Sequence, residues 1–183
     1  MTVEAAEDRQ QLFIEPLDPA RHDRQSFSCG AAGLDNFLKR TARKHHSDDF
    51  TRVWVATDGR SPRILGWYAL NAHALEVADL PDDVVRGAPR HGVVPAVYLS
   101  MIAVDRRHQG RGLGRILMAD ALHRVASAAD QVGVRVVVLD VIEDGGDEAT
   151  ARRLVFYGAI GFQPLPDRPL RMFIGIETIR RAL

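Results

Sequence analysis

The segment best suited to chemistry is Gln109-Gly110-Arg111-Gly112-Leu113-Gly114. It lies between a β-rich stretch, Val97–Val104, and a helical pattern, Leu113–Ala129. Glycines let a backbone turn sharply and present consecutive N–H groups. A helix N-terminus adds unpaired N–H donors and a partial positive charge. Together they make a cradle for phosphate. Arg106, Arg107, Arg111 and Arg115 put mobile cationic side chains beside it. A tight turn with solvated arginines is the plain alternative, and the strand-before, helix-after setting favours the phosphate reading. No GxxxxGK[ST] loop is present. Nor is the dinucleotide GxGxxG met, since Gly110-x-Gly112 is followed by Arg115. Asp140 stands where a ribose-binding acid would, so a dinucleotide site stays open here.

Other reactive types are sparse. Tyr157 sits in a late helical pattern beside Phe156, and a buried tyrosine needs a partner for its hydroxyl. The strand Val97–Val104 carries no carboxylate and offers Tyr98 and Ser100, while Asp105 at its end suits a turn cap. Cys29 has no local histidine and reads as a small buried residue. His45 and His46 are adjacent, so they leave a helix on different faces; no metal is expected. Lys39, Arg40, Arg43, Lys44, His45 and His46 form a basic run without an intervening acid, and Arg86, Arg90 and His91 form a looser group. Trp54 and Trp67 lie on β-rich stretches and read as core.

The elements that must position these residues follow from periodicity. Strands are expected at Leu12–Leu17, Thr51–Thr57, Ile64–Ala72, Val97–Val104, Val134–Ile142, Phe162–Leu165 and Met172–Glu177. Helices are expected at Leu34–His46, Leu113–Ala129 and Glu148–Ile160, the last with Asp147 as N-cap and Gly161 as terminator. Asp58-Gly59 reads as a hairpin loop. Glu76–Pro95 has no clear period and reads as an excursion. The strand–helix–strand order implies a parallel pair.

Composition sets the limits. The 183 residues contain 46% hydrophobic and 26% charged side chains, which fits one globular domain at 12–183 after a flexible 1–11. Lys+Arg is 24 and Asp+Glu is 24, so only a local patch could attract nucleic acid. One cysteine excludes an internal disulfide and suits the cytoplasm. The acidic start MTVEAAEDRQQ is unlike a signal peptide, and no apolar run suits a bilayer, so no membrane is expected.

Val104–Gly114 resembles the acyl-CoA signature (Arg or Gln)-x-x-Gly-x-(Gly or Ala) of the GNAT N-acetyltransferases, met by Gln109, Gly112 and Gly114. Phe156-Tyr157-Gly158-Ala159-Ile160-Gly161-Phe162 is similar to that family's FYxxxGF element. The resemblance implies an α/β (α+β) fold with a mixed central sheet, splayed at the acetyl-CoA site, and helices on both faces. It implies acetyl-CoA as co-substrate, with no metal. Its pantetheine would pair with Met101, Ile102, Ala103 and Val104, and its diphosphate would meet Gln109, Gly110, Arg111, Gly112, Leu113, Gly114 and Arg115. Tyr157 would protonate the leaving thiolate. A lysine amine, with a pKa of about 10.4, needs a base, whereas an α-amine at about 7.7–8.0 hardly does, so the base-poor strand favours an α-amine.

Phe27-Ser28-Cys29-Gly30 and Leu34-Asp35-Asn36-Phe37-Leu38 resemble the opening of GNAT toxins of type II toxin–antitoxin modules. That resemblance implies aminoacyl-tRNA as acceptor, a ribbon-helix-helix antitoxin and a homodimer. Lys39, Arg40, Arg43, Lys44, Arg86 and Arg90 are then the candidate tRNA contacts. A housekeeping GNAT acting on a small amine or a protein N-terminus is the alternative, as is a CoA-binding module without catalysis.

Overall fold

The most β-rich stretches of the sequence pair with one another. The computed structural model describes residues 11–88 and 92–183. Strands β1 (Phe13–Pro16), β2 (Arg52–Thr57), β3 (Gly66–Glu76) and β4 (Val93–Val104) form an antiparallel run. A crossover through α3 (Leu113–Ala129) brings β5 (Val136–Asp140) parallel to β4. Strands β6 (Gln163–Leu165) and β7 (Arg168–Gly175) complete a seven-stranded mixed sheet ordered β1-β2-β3-β4-β5-β7-β6.

Helices lie on both faces. On one, Leu117, Met118, Ala121 and Val125 of α3 pack on Tyr68, Leu99, Val137, Leu139 and Ile174. Tyr157 of α4 (Gly146–Gly158) and Ile176 and Ile179 of α5 (Ile176–Ala182) join that cluster. On the other, α1 (Ala32–Asn36), a π-helical turn (Phe37–Thr41) and α2 (Ala42–Ser47) lay Leu38 and Ala42 on Val53, Val55, Trp67, Ala69 and Ala103. Farther along that second face, Leu75, Val94, Ala96, Val138 and Phe173 form a third cluster with Leu80, Val84 and Val85.

Several boundaries differ from the periodicity reading. The β3–β4 arms run beyond Ala72 and begin before Val97, with pairs from Glu76↔Val93 to Ala72↔Val97, so the two ends of the expected excursion, Glu76 and Val93–Pro95, are ladder. Alanines and Pro95 hid this, because cross-strand pairing outweighs their weak β propensity. Helix α4 starts at Gly146 with Gly145 as N-cap, not at Asp147; both glycines are left-handed, with φ of 89° and 80°. Asp147 and Glu148 fall in its first turn, where acids oppose the helix dipole. Met172–Glu177 is not one strand: β7 ends at Gly175 and α5 follows, its Ile176 and Ile179 three apart and both buried. The expected flexible residues 1–10 lie outside the described residues. Among the described residues, no helix is long and apolar enough to cross a membrane.

Candidate active site

The site begins where two strands part. β4 pairs with β5 only from Ala96↔Val136 to Tyr98↔Val138. On the β3 side the register shifts, with Ala69 opposite Met101 and Leu70 opposite Leu99, so Ser100 is an extra residue. Such a bulge bends its strand and adds twist. From Leu99 to Val104, β4 therefore has β3 on one side and no ladder to β5 on the other. A cavity of about 210 Å³ occupies the gap, lined by Ser100–Val104, Gln109, Gly114, Asp140, Phe156 and Tyr157, with Cys29 and Leu34 at its margin.

The glycine loop follows directly. Asp105, with its side chain 2% exposed, accepts from the amides of Ser28 (3.3 Å) and Arg107 (3.0 Å) and from Arg107 Nε (2.8 Å) and Nη2 (2.9 Å). Burial pushes its carboxyl up, but these donors outweigh it and hold the pKa down at about 2. Asp105 is a turn cap, as its position suggested. Two of the four arginines have neighbours, though both are exposed: Arg107 is paired with Asp105, and Arg106 lies against Gly30. Arg111 and Arg115 are exposed too. Gly110 and Gly112 are left-handed, with φ of 74° and 81°, and Gly112 caps α3. The first α3 amides, those of Leu113 and Gly114, are helix-end donors. The Leu113 side chain is buried in the core, so only its backbone is offered.

Tyr157 is brought to the same cavity by α4. Burial raises its pKa, partly opposed by Arg153 one turn earlier. Among the described residues, no side chain or backbone group hydrogen-bonds its hydroxyl. Arg153 was not foreseen; it lines the cavity and donates to the carbonyls of Ile142 (2.9 Å) and Asp144 (2.6 Å). Cys29 is half-buried rather than buried, and burial lifts its thiol to about 11, which argues against a nucleophile.

The basic run divides. Arg40 and Arg43 are exposed, Lys39 is half-buried, and Lys44 is paired with Asp48 at 2.5 Å. His46 Nδ1 accepts from the Val53 amide at 3.1 Å, and His45 packs between Phe37 and Phe50. Both histidines are thus structural. Arg86 is exposed; Arg90 and His91 lie outside the described residues. Among the described residues, no group of three or more His, Cys, Asp or Glu side chains is placed to hold a metal ion.

A polar group missed by sequence reading sits below the gap. Tyr98 Oη donates to Asp140 at 2.8 Å, Arg171 Nη2 meets His73 Nε2 at 3.1 Å, and Arg171 Nε lies 3.5 Å from Asp140. The four residues come from four strands, β4, β5, β7 and β3, so no local pattern could reveal them.

An open strand edge, a glycine cap and a tyrosine around one cavity agree with the comparisons. Residues 49–164 match the family described as "Acetyltransferase (GNAT) domain". The chain is 50% identical over 171 residues to "Probable toxin TacT" of Sinorhizobium fredii, covering 93% of this chain and 94% of that protein. It is 37% identical over 161 residues to a "tRNA-acetylating toxin" of Mycobacterium tuberculosis, covering 88% and 90%. Its fold matches "AtaT complexed with acetyl-methionyl-tRNAfMet" with a TM-score of 0.83 at 28% identity, covering 94% and 99%. It also matches a mutant AtaT toxin bound to the C-terminus of the antitoxin AtaR and acetyl-CoA, with a TM-score of 0.76 at 27% identity, covering 93% and 97%. The chain belongs to the GNAT acetyltransferase family, and it has that family's mixed, open sheet.

Proposed function

We propose that this chain moves acetyl from acetyl-CoA to the α-amino group of aminoacyl-tRNA, and so acts as a translation-blocking toxin. The observation that carries the chemistry is the unpaired β4 edge facing Tyr157 across one cavity. Its residues suit acetyl-CoA on their own chemistry. An extended pantetheine, with its amide groups, matches a strand edge that lacks a neighbour. A diphosphate matches the Gly110–Gly114 turn, the α3 N-terminus and the exposed cations Arg111 and Arg115.

Bound acetyl-CoA supplies an activated acetyl thioester. The amides of Met101–Val104 orient it, and their N–H groups polarise its carbonyl. Tyr157 Oη gives its proton to the departing sulfur, general-acid work on the order of 10²- to 10⁴-fold. The buried, apolar surroundings of Tyr157 keep the phenol protonated until then.

The acceptor rests on the relatives, whose names and complexes include tRNA acetylation. Arg40, Arg43, Lys39 and Arg86 are the candidate phosphate contacts, with Lys44 weakened by Asp48 and Arg90 retained from the sequence alone. A ribbon-helix-helix antitoxin, a homodimer and a cytoplasmic setting complete the reading. The test is transfer of labelled acetyl to a panel of charged and uncharged tRNAs. Transfer to charged tRNA alone is expected. Activity confined to a polyamine or a protein N-terminus would replace the toxin reading with a housekeeping one.

A further inference from the structure

The gap between β4 and β5 opens on both faces of the sheet, and the two faces differ. Tyr157 and Phe156 reach it from the α3 side, where Val137 and Leu139 of β5 point. Strand alternation sends Val136, Val138 and Asp140 to the opposite face. On that face α1 and α2 cover one end and residues 77–85 the other. Asp140 lies between them, its side chain 45% exposed, at the point where β5 loses β4. Among the described residues, it is the one carboxylate lining the cavity.

Asp140 has acceptor capacity to spare. A carboxylate can take about four hydrogen bonds. Here Tyr98 fills one at 2.8 Å, while Arg171 Nε stands off at 3.5 Å and has no hydrogen-bond partner despite burial. Arg171 Nη2 is engaged with His73. Tyr98 and Arg171 thus fix the carboxylate from below and leave its cavity side for a donor. Ser100, held by Asn71 at 2.8 Å and by the Ala69 carbonyl at 3.3 Å, forms the neighbouring wall.

We infer that Asp140 is the residue that receives the acceptor's α-amino group, accepting its N–H and aiming the nitrogen at the thioester from the face opposite Tyr157. This rests on the proposed aminoacyl-tRNA reading and adds the group that distinguishes a free α-amine from a blocked one. Asp140 is a substrate-contacting residue; Tyr98 and Arg171 are positioning residues behind it.

The test uses the full chain and the charged tRNA that the wild type acetylates best. Asp140→Asn keeps the volume and an acceptor for Tyr98. It is expected to lower kcat/KM for charged tRNA at least about tenfold, the scale of a hydrogen bond to a charged group. Acetyl-CoA affinity should stay unchanged, and so should inhibition by the same tRNA carrying an N-acetylated amino acid, which has no ammonium to offer. Tyr98→Phe should give a smaller loss with the same selectivity. Equal weakening toward free and blocked tRNA, lost acetyl-CoA binding, or wild-type kinetics in Asp140→Asn would each overturn the assignment. If the wild type acetylates no charged tRNA, the tRNA reading itself falls and takes this inference with it.

Discussion

Gln109 Nε2 donates to the carbonyl of Cys29 at 2.9 Å, and also to that of Val104 at 2.9 Å. The glutamine of the acyl-CoA signature is therefore engaged with the protein itself. It ties the glycine loop to the end of β4 and to the segment before α1.

Gln109→Ala should loosen that tie. Two hydrogen bonds, each about 1 kcal/mol net, would lower Tm by a few degrees. Acetyl-CoA affinity, read by calorimetry, should fall about tenfold as the loop amides lose their orientation. Gln109→Arg, the signature's other choice, should restore most of it. Unchanged affinity in Gln109→Ala would show that the loop holds its shape without the brace.

Gly112→Ala tests the turn. An added Cβ would have nothing within 4 Å, but φ of 81° strains any L side chain by about 1–2 kcal/mol. The fold should survive by circular dichroism while acetyl-CoA binding weakens at least several-fold. At Gly114 a Cβ would sit 3.8 Å from Phe156 and 3.9 Å from Val104, in ordinary contact. Gly114→Val should therefore keep stability and lose affinity. Intact affinity in both would move the diphosphate elsewhere.

Tyr157→Phe should keep acetyl-CoA binding and lose about 10²- to 10⁴-fold in kcat. Its buried ring still packs against Phe156 and Phe162. An unaltered rate would exclude the hydroxyl as the acid.

Asp105→Asn bears on stability. The native carboxyl is held at about 2, below the ordinary 3.8. A depressed carboxylate contributes stability above its unfolded pKa and loses it as pH falls through the folded value. The contribution, roughly 2 kcal/mol, is thus whole at pH 7 and fades between about pH 4 and 2. The variant should melt lower at pH 7, with the gap closing on acidification. A pH-independent gap would assign the loss to packing alone.

Much of this was legible because local signals agreed. The strand into Gln109–Gly114 into α3 combines β-branched residues, clustered glycines and helical spacing, and each points to the same element. Tyr157 stood in a short motif. What escaped was assembled at a distance. Asp140, Tyr98, Arg171 and His73 meet only when four strands are laid side by side. Asp140 had suggested a ribose contact, a role that depended on a dinucleotide fold this chain lacks. The basic run looked uniform, yet Asp48, Val53 and the flanking phenylalanines claim three of its six members. The length of β3 and β4 was hidden because alanine and proline carry little strand signal of their own.

Ser100 shows how the number of residues in a strand can govern chemistry. With it, Leu99 and Met101 point to opposite faces across one additional position, and the segment beyond keeps Met101 and Ala103 under α1 and α2. Deleting this single serine would make Leu99↔Leu70 and Met101↔Ala69 consecutive pairs of a regular ladder, so every side chain to Val104 would keep its face while the bend and added twist at the parting of β4 and β5 would be lost. Swapping Ser100 for another small polar residue should therefore be far milder than removing it.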